Sequence, residues 1–190
     1  SRVIAVVVQP GIDFGEMWVK PYRRRDAGAL SEFHDRLAGA VTYEIHATDY
    51  QGPQALSEMV ADHFALLKVG PCLSFAFREA VFGLDHIEKE WLGSCKSIEP
   101  ADIRNRLQQV MDAAPGYWHS HHSVDSASDW HVLFSYLDRV RYYWARTELE
   151  NALSLLVQNL SRQPIPLPLL SQYLPGQYRE VASGRIPGDP

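Results

Sequence analysis

The chain has 190 residues, of which 46% are hydrophobic and 22% charged, values that suit one globular domain with a real core. A net charge of −5, with 23 acidic against 18 basic residues, leaves no basic stripe and argues against a nucleic-acid partner. No apolar run reaches membrane-spanning length and no signal peptide is visible; two cysteines, Cys72 and Cys95, are too few for a disulfide framework and suit reduced thiols in a cytoplasmic protein.

Residues 3–9 read Val-Ile-Ala-Val-Val-Val-Gln without alternation, which predicts a parallel strand buried on both faces, ending at Gln9-Pro10-Gly11. Residues 11–25 form a long loop whose Phe14, Met17, Trp18 and Tyr22 either carry function or cap the rim of the sheet. Its Arg23-Arg24-Arg25 run reads as a solvated approach to a helix. Asp26 can cap that helix, which runs to about Ala38 with Leu30, Phe33 and Leu37 inside and Gly39 as its stop. Residues 41–46 make a second strand, rich in β-branched and aromatic side chains, that stops at polar His46, Thr48 and Asp49. Residues 53–63 form a helix with Pro53 at its first position and Leu56, Met59 and Val60 at helical spacing. Residues 65–69 are a third strand, closed by Gly70-Pro71.

Two strands joined by a helix lie parallel with a right-handed crossover, and such sheets bind ligands at the carboxyl ends of their strands. This puts His46, Thr48, Asp49, Gly70 and Ser74 on one rim, with Gln9 at the same end. A long helix from Pro71 to Leu92 follows, with Leu73, Phe77, Ala80, Val81, Leu84, Ile87 and Trp91 as one apolar stripe. Cys72 falls in its first turn, where a thiolate is favoured, although a packed, inert thiol is the usual state of a free cysteine. Beyond Gly93, residues 100–112 are helical with Ile103, Leu107 and Val110 inside, and residues 115–129 are polar and irregular. Thr147 and Glu150 have capping-box spacing ahead of a helix burying Leu149, Leu153, Leu156, Val157 and Leu160. Pro164, Pro166 and Pro168 then impose an extended segment, and residues 184–190 fray.

All three strands lie in the first 70 residues, which leaves a small parallel sheet with two raw edges. The economical reading is the last part of an α/β barrel of the (β/α)8 type, typically about 250 residues, whose other strands precede residue 1. Residues 1–93 would supply β-α units, and residues 94–190 a mainly helical extension packed on the barrel. A complete three-stranded domain is the competing fold.

Several residues carry candidate chemistry. His46 follows Glu44 on one strand face and is either a metal ligand short of further donors, with Asp49 and Gln9 nearest, or a hydrogen-bonded pocket residue. Lys68 lies within a strand and is either a Schiff-base lysine or the buried ion-pair partner of Glu44, the favoured reading. Gly70, Pro71 and Ser74 open a helix that could hold phosphate, but Pro71 has removed one amide donor. Trp118-His119-Ser120-His121-His122 reads as an exposed loop rather than a metal centre. Neither a phosphate-binding Gly-x-x-x-x-Gly-Lys-Ser/Thr loop nor a Gly-x-Ser-x-Gly elbow occurs.

Six motifs in order carry a resemblance: Val-Val-Val-Gln-Pro-Gly at 6–11, Glu-Ile-His-Ala-Thr-Asp-Tyr-Gln at 44–51, Leu-Lys-Val-Gly-Pro at 67–71, Phe-Arg-Glu-Ala at 77–80, Asp-Arg-Val-Arg-Tyr-Tyr-Trp at 138–144 and Leu-Ser-Gln-Tyr-Leu-Pro at 170–175. Together they resemble the GatZ/KbaZ family, accessory subunits of class II tagatose-1,6-bisphosphate aldolase, with an older label of tagatose-6-phosphate kinase. The resemblance implies a (β/α)8 barrel of which this chain is the C-terminal portion, strands six to eight. It implies a non-catalytic cytoplasmic protein that supports a catalytic aldolase subunit in galactitol or amino-sugar catabolism. By the same resemblance His46 matches a zinc-binding histidine, so zinc in the intact protein stays open. Ala47-Thr48-Asp49-Tyr50 stands where glycines should cradle phosphate, and Gly70-Pro71 replaces a second phosphate-binding turn. Bulky side chains and a lost amide would thus remove the cradle. The partner surface would draw on Tyr142, Tyr143, Trp144, Tyr173 and Tyr178, which could equally pack inside. The rival readings are an active sugar-phosphate aldolase, epimerase or kinase using His46 or Lys68, and a non-enzymatic sugar-phosphate binder.

Overall fold

The computed structural model describes residues 3–37, 41–121 and 129–187. These fall into two compact units, one holding the described residues up to Leu73 together with Phe134–Asp138, the other the described remainder. The whole is a mixed α/β structure with a parallel sheet.

In the first unit, β1 (Ala5–Val7), β4 (Thr42–Ile45) and β5 (Phe64–Leu67) form a three-stranded parallel sheet with β4 in the middle. Val7 pairs with Glu44 across β1 and β4, and Ile45 with Leu67 across β4 and β5, beyond a bulge between Tyr43 and Glu44. The crossover helices are α1 (Arg24–His34) and α2 (Pro53–Ala61). Alternation along β4 turns Tyr43 and Ile45 inward, where they meet Ile12, Tyr22, Ala27, Met59 and Phe64 in one core. Asp62, just past α2, is buried and ties the unit together: it accepts the Tyr22 hydroxyl at 2.7 Å and pairs with Arg24, which holds its carboxyl below the usual range.

Several expectations need correcting. The first strand was expected to be buried on both faces; among the described residues β1 pairs with β4 only, and Val3, Ile4, Val6 and Val7 are 45–71% exposed. The loop at 11–25 contains a two-stranded antiparallel hairpin, β2 (Asp13–Phe14) and β3 (Val19–Lys20), too short to leave an alternating pattern. Helix α1 starts at Arg24 rather than after Asp26, and only Ala27 on it is fully buried; Phe33 and Leu37 stay exposed, as does Val60 on α2. The expected stop at Gly39 lies outside the described residues.

The second unit is helical: most of α3 (Cys72–Leu92), then α4 (Ile103–Ala113), α5 (Asp129–Phe134) as far as Leu133, α6 (Thr147–Leu160), α7 (Leu167–Tyr173) and α8 (Pro175–Ala182). Val81, Ile87, Leu107, Met111, Leu133, Tyr143, Leu149 and Leu156 belong to its core. The apolar stripe of α3 is graded: Leu73 and Phe77 are exposed while Val81 and Ile87 are buried, because the other helices pack along its later turns. Gly83 is one reason they can; a Cβ there would meet Leu174 Cδ2 at 2.7 Å. Three short 3-10 turns cover Pro115–Tyr117, His119–His121 and Arg139–Tyr142, where an irregular segment was expected for the first two; His122 lies outside the described residues.

The buried side of α3 also carries charge that hydrophobic patterning misses. Asp85 and Glu88 are each 1% exposed. Asp85 Oδ1 accepts the Ile103 amide at 2.8 Å, Oδ2 takes Lys89 at 2.8 Å, and Glu88 Oε2 accepts the Ala101 amide at 2.9 Å. Asn159 Nδ2 donates to Glu88 Oε1 at 2.7 Å. Helix α4 needs this outside help, since its own N-cap residue, Asp102, is left-handed at φ 48 and makes no capping bond. Further along, Thr147 is the first residue of α6 and Arg146 its N-cap, so no capping box forms; Glu148 and Glu150 favour the helix start by charge. Val157 is exposed, and Pro168 sits inside the first turn of α7, so the extended segment ends at Pro166.

Candidate functional site

The rim at the carboxyl ends of β4 and β5 is built by the turn from His46 to Gln51 and by the turn from Lys68 into α3. Thr48, 3% exposed, donates its hydroxyl to the Lys68 carbonyl at 2.9 Å and its amide to the same oxygen at 3.3 Å, which locks the two turns together. Ala47 and Tyr50 have φ of 59° and 62°. The left-handed backbone of a glycine turn is therefore present without the glycines, at a cost of roughly 1–2 kcal/mol for each residue with a Cβ.

Asp49 is the centre of the rim. It is 2% exposed, and its carboxylate accepts the Gly70 amide at 2.8 and 3.1 Å through its two oxygens and the Cys72 amide at 2.9 Å. These amides open α3, a position suited to an anion. The expectation was that side chains and Pro71 remove the cradle, and the Asp49 side chain does lie in it. Two donors flanking the proline remain, and a carboxylate of the protein itself occupies them. Burial, then the Asp49 carboxylate beside it, pushes the Cys72 thiol up to about 11, in keeping with the packed, inert thiol and against the thiolate that a helix start could favour.

The other predicted residues scatter. Glu44 Oε1 lies 2.9 Å from His46 Nε2, and among the described residues no third ligating side chain joins the two. Lys68 is exposed and among the described residues forms no ion pair, so the buried Lys68–Glu44 pair is corrected to a Glu44–His46 pair; the enclosure of a Schiff-base lysine is missing as well. Gln9 is exposed two residues beyond β1. Ser74 lies in the first turn of α3 and belongs to the second unit.

Sequence reading overlooked two supports. Gln51 Oε1 accepts the Tyr22 amide at 3.0 Å and its Nε2 donates to Lys20, joining the rim to the hairpin. Tyr50 donates its hydroxyl to the Tyr136 carbonyl at 2.6 Å, and Tyr136 N donates to Glu16 at 2.9 Å. No local signal announces a partner 86 residues away.

The aromatic surface candidates divide too. Tyr142 is 42% exposed, stacked on Tyr117 at 5.3 Å and flanked by the Arg139 and Arg141 guanidinium groups. Tyr143 is core, not surface: it is fully buried, donates to the Ala114 carbonyl at 2.6 Å, and burial raises its phenol. Trp144 is half-buried with its edge on Phe77 at 5.2 Å, Tyr173 stacks on His86 at 5.3 Å, and Tyr178 packs against the helical core.

Comparison with known proteins places this geometry. A family model described as D-tagatose-1,6-bisphosphate aldolase subunit GatZ/KbaZ-like matches residues 1–190. The crystal structure of a probable tagatose 6 phosphate kinase from Sinorhizobium meliloti 1021 superposes with a TM-score of 0.89 at 39% identity, over 99% of this chain and 48% of that one. The chain thus spans about half the length of the solved relative it matches. With the family match running over the whole chain, the protein belongs to the GatZ/KbaZ-like family.

Proposed function

We propose that the protein is an accessory subunit of tagatose-1,6-bisphosphate aldolase, acting in galactitol or N-acetylgalactosamine-type sugar catabolism by supporting the activity and stability of a catalytic subunit. The fold in this reading is the C-terminal part of a (β/α)8 barrel, with residues 1–93 as β-α units and 94–190 as a helical extension. The family match supports an aldolase subunit. The observation that carries the accessory role is Asp49: its carboxylate sits on the Gly70 and Cys72 amides, where a catalytic rim would offer donors to a sugar phosphate. An accessory chain needs no such seat. It stabilises a partner by binding the folded form in preference to the unfolded one. Among the aromatic candidates, Tyr142 offers the partner an exposed ring held between two arginines.

The test is reconstitution of a class II aldolase catalytic subunit with and without the native protein. Longer half-life and higher aldolase turnover in its presence are expected, weakened by Tyr142→Ala. Equal activity and half-life in both samples would sink the accessory role.

One observation favours a second reading, a sugar kinase: the name carried by the solved relative. ATP-dependent phosphorylation of tagatose 6-phosphate by the purified protein would establish it. Against it stands the lack of a phosphate-binding glycine-rich motif in this chain.

A further inference from the structure

We infer that His34, Asp35 and His63 form a binding site for a first-row transition-metal cation of the Zn2+ type, at the end of the sheet opposite the Asp49 rim. The placement follows from topology. β4 and β5 run parallel; Asp49 follows β4, whereas His63 precedes β5 and His34 and Asp35 close α1 ahead of β4. One ligating atom from each of the three residues lies within 4.8 Å of the other two.

The details suit a ligand set. His34 Nε2 lies 2.7 Å from the Val41 carbonyl. A carbonyl only accepts, so this nitrogen is the donor and Nδ1 is the atom left to ligate. A ring nitrogen donating to backbone is the usual outer hydrogen bond of a ligating imidazole. His63 Nε2 lies 2.9 Å from Asp35 Oδ1, which joins the second imidazole to the carboxylate. His63 also has φ of 74°, a strained backbone that a residue with a Cβ adopts only where surrounding structure imposes it. Two imidazoles and a carboxylate, with water in the fourth position, make a tetrahedral set for zinc, and nitrogen donors discriminate against Mg2+ and Ca2+.

The ring geometry adds a condition. His34 and His63 stack at 4.1 Å with 12° between their planes. A cation bonds along the plane of each imidazole at about 2.0–2.1 Å, and two nearly parallel rings at that spacing share no such point. Binding therefore breaks the stack. In the inferred bound form His63 turns, giving up its 2.9 Å contact with Asp35 so that both become ligands, while His34 stays held by Val41 and packed edge-on against Tyr43 at 4.9 Å. The bound ion would tie the connection after α1 to the one after α2 and stabilise the folded form alone.

The test is calorimetric titration of the tag-free native protein with Zn2+, alongside its thermal midpoint and the visible spectrum of its Co2+ form. Two variants accompany it: Asp35→Asn, at an exposed carboxylate, and His63→Asn, since asparagine tolerates the left-handed backbone. The expected result is saturable binding of one ion, a raised midpoint and tetrahedral Co2+ bands, all lost in His63→Asn, weakened in Asp35→Asn and unaffected by excess Mg2+. Absence of saturable binding would overturn the inference. So would binding that persists unchanged in both variants, which would place the ion at other donors such as His46 or His119.

Discussion

Helices α3 and α4 both begin on amides that lack partners within the helix, and in both cases a buried carboxylate from elsewhere supplies the acceptor. At α4 the acceptors are Asp85 and Glu88, supported in turn by Lys89 and Asn159. At α3 Asp49 accepts from Gly70 and Cys72, on a sheet rim where α/β proteins dock anions. The same chemistry thus serves two ends. Around α4 it sits inside a helical core and secures packing. At α3 it fills a place that would otherwise be offered to a ligand. The difference lies in surroundings, not in the bond.

The comparison can be broken most severely at Glu88. Glu88→Ala leaves the Ala101 amide and the Asn159 side chain without their acceptor inside the core. Two charge-assisted hydrogen bonds at about 1.5 kcal/mol each give an expected loss of about 3 kcal/mol, measured by urea unfolding. A loss below about 1 kcal/mol would mean that these bonds are replaced by water.

Asp49→Ala should cost less, about 2 kcal/mol, because its amides lie nearer to solvent. It should also do what no change at Glu88 can: open the seat. Inorganic phosphate is expected to raise the thermal midpoint of Asp49→Ala more than that of the parent protein. An equal rise in both would show that Asp49 does not hold the seat closed.

A kinetic effect sharpens the same point. With its thiol pushed up to about 11, Cys72 stays protonated through pH 8 and should react slowly with iodoacetamide, well behind exposed Cys95, as followed by peptide mass spectrometry. Alkylation of Cys72 should accelerate only as pH approaches that value. In Asp49→Ala one of the two causes is gone, and the acceleration should move to lower pH. The smallest effect is expected at Ala47, where glycine relieves a left-handed backbone but gains freedom when unfolded; Ala47→Gly should shift stability by no more than about 1 kcal/mol, in the stabilising direction.

The elements around the rim were legible because their signals are local. β-branched runs, Pro53 at a helix start and the Gly70-Pro71 stop each act over a few residues, and β4, α2 and β5 lie within two or three residues of their predicted bounds. Burial was read less well. Val6 and Val7 carry the composition of an inner strand, yet among the described residues β1 pairs with β4 only and both side chains are exposed. Phe77 fits the stripe of α3 yet stays exposed, while Asp85 and Glu88, charged residues that a search for apolar positions passes over, lie inside. Lys68 and Glu44 looked like partners by strand position, but the Glu44 side chain turned along its own strand to His46.

The order of strand, helix and strand, their parallel pairing and the place of the rim follow from the chain itself, since backbone preference and hydrophobic period are properties of short stretches. Which carboxylate meets which amide does not. Asp49 reaches Gly70 across 21 residues and Asn159 reaches Glu88 across 71. A buried polar group must find a partner wherever the packed chain brings one, and only the tertiary structure decides where that is.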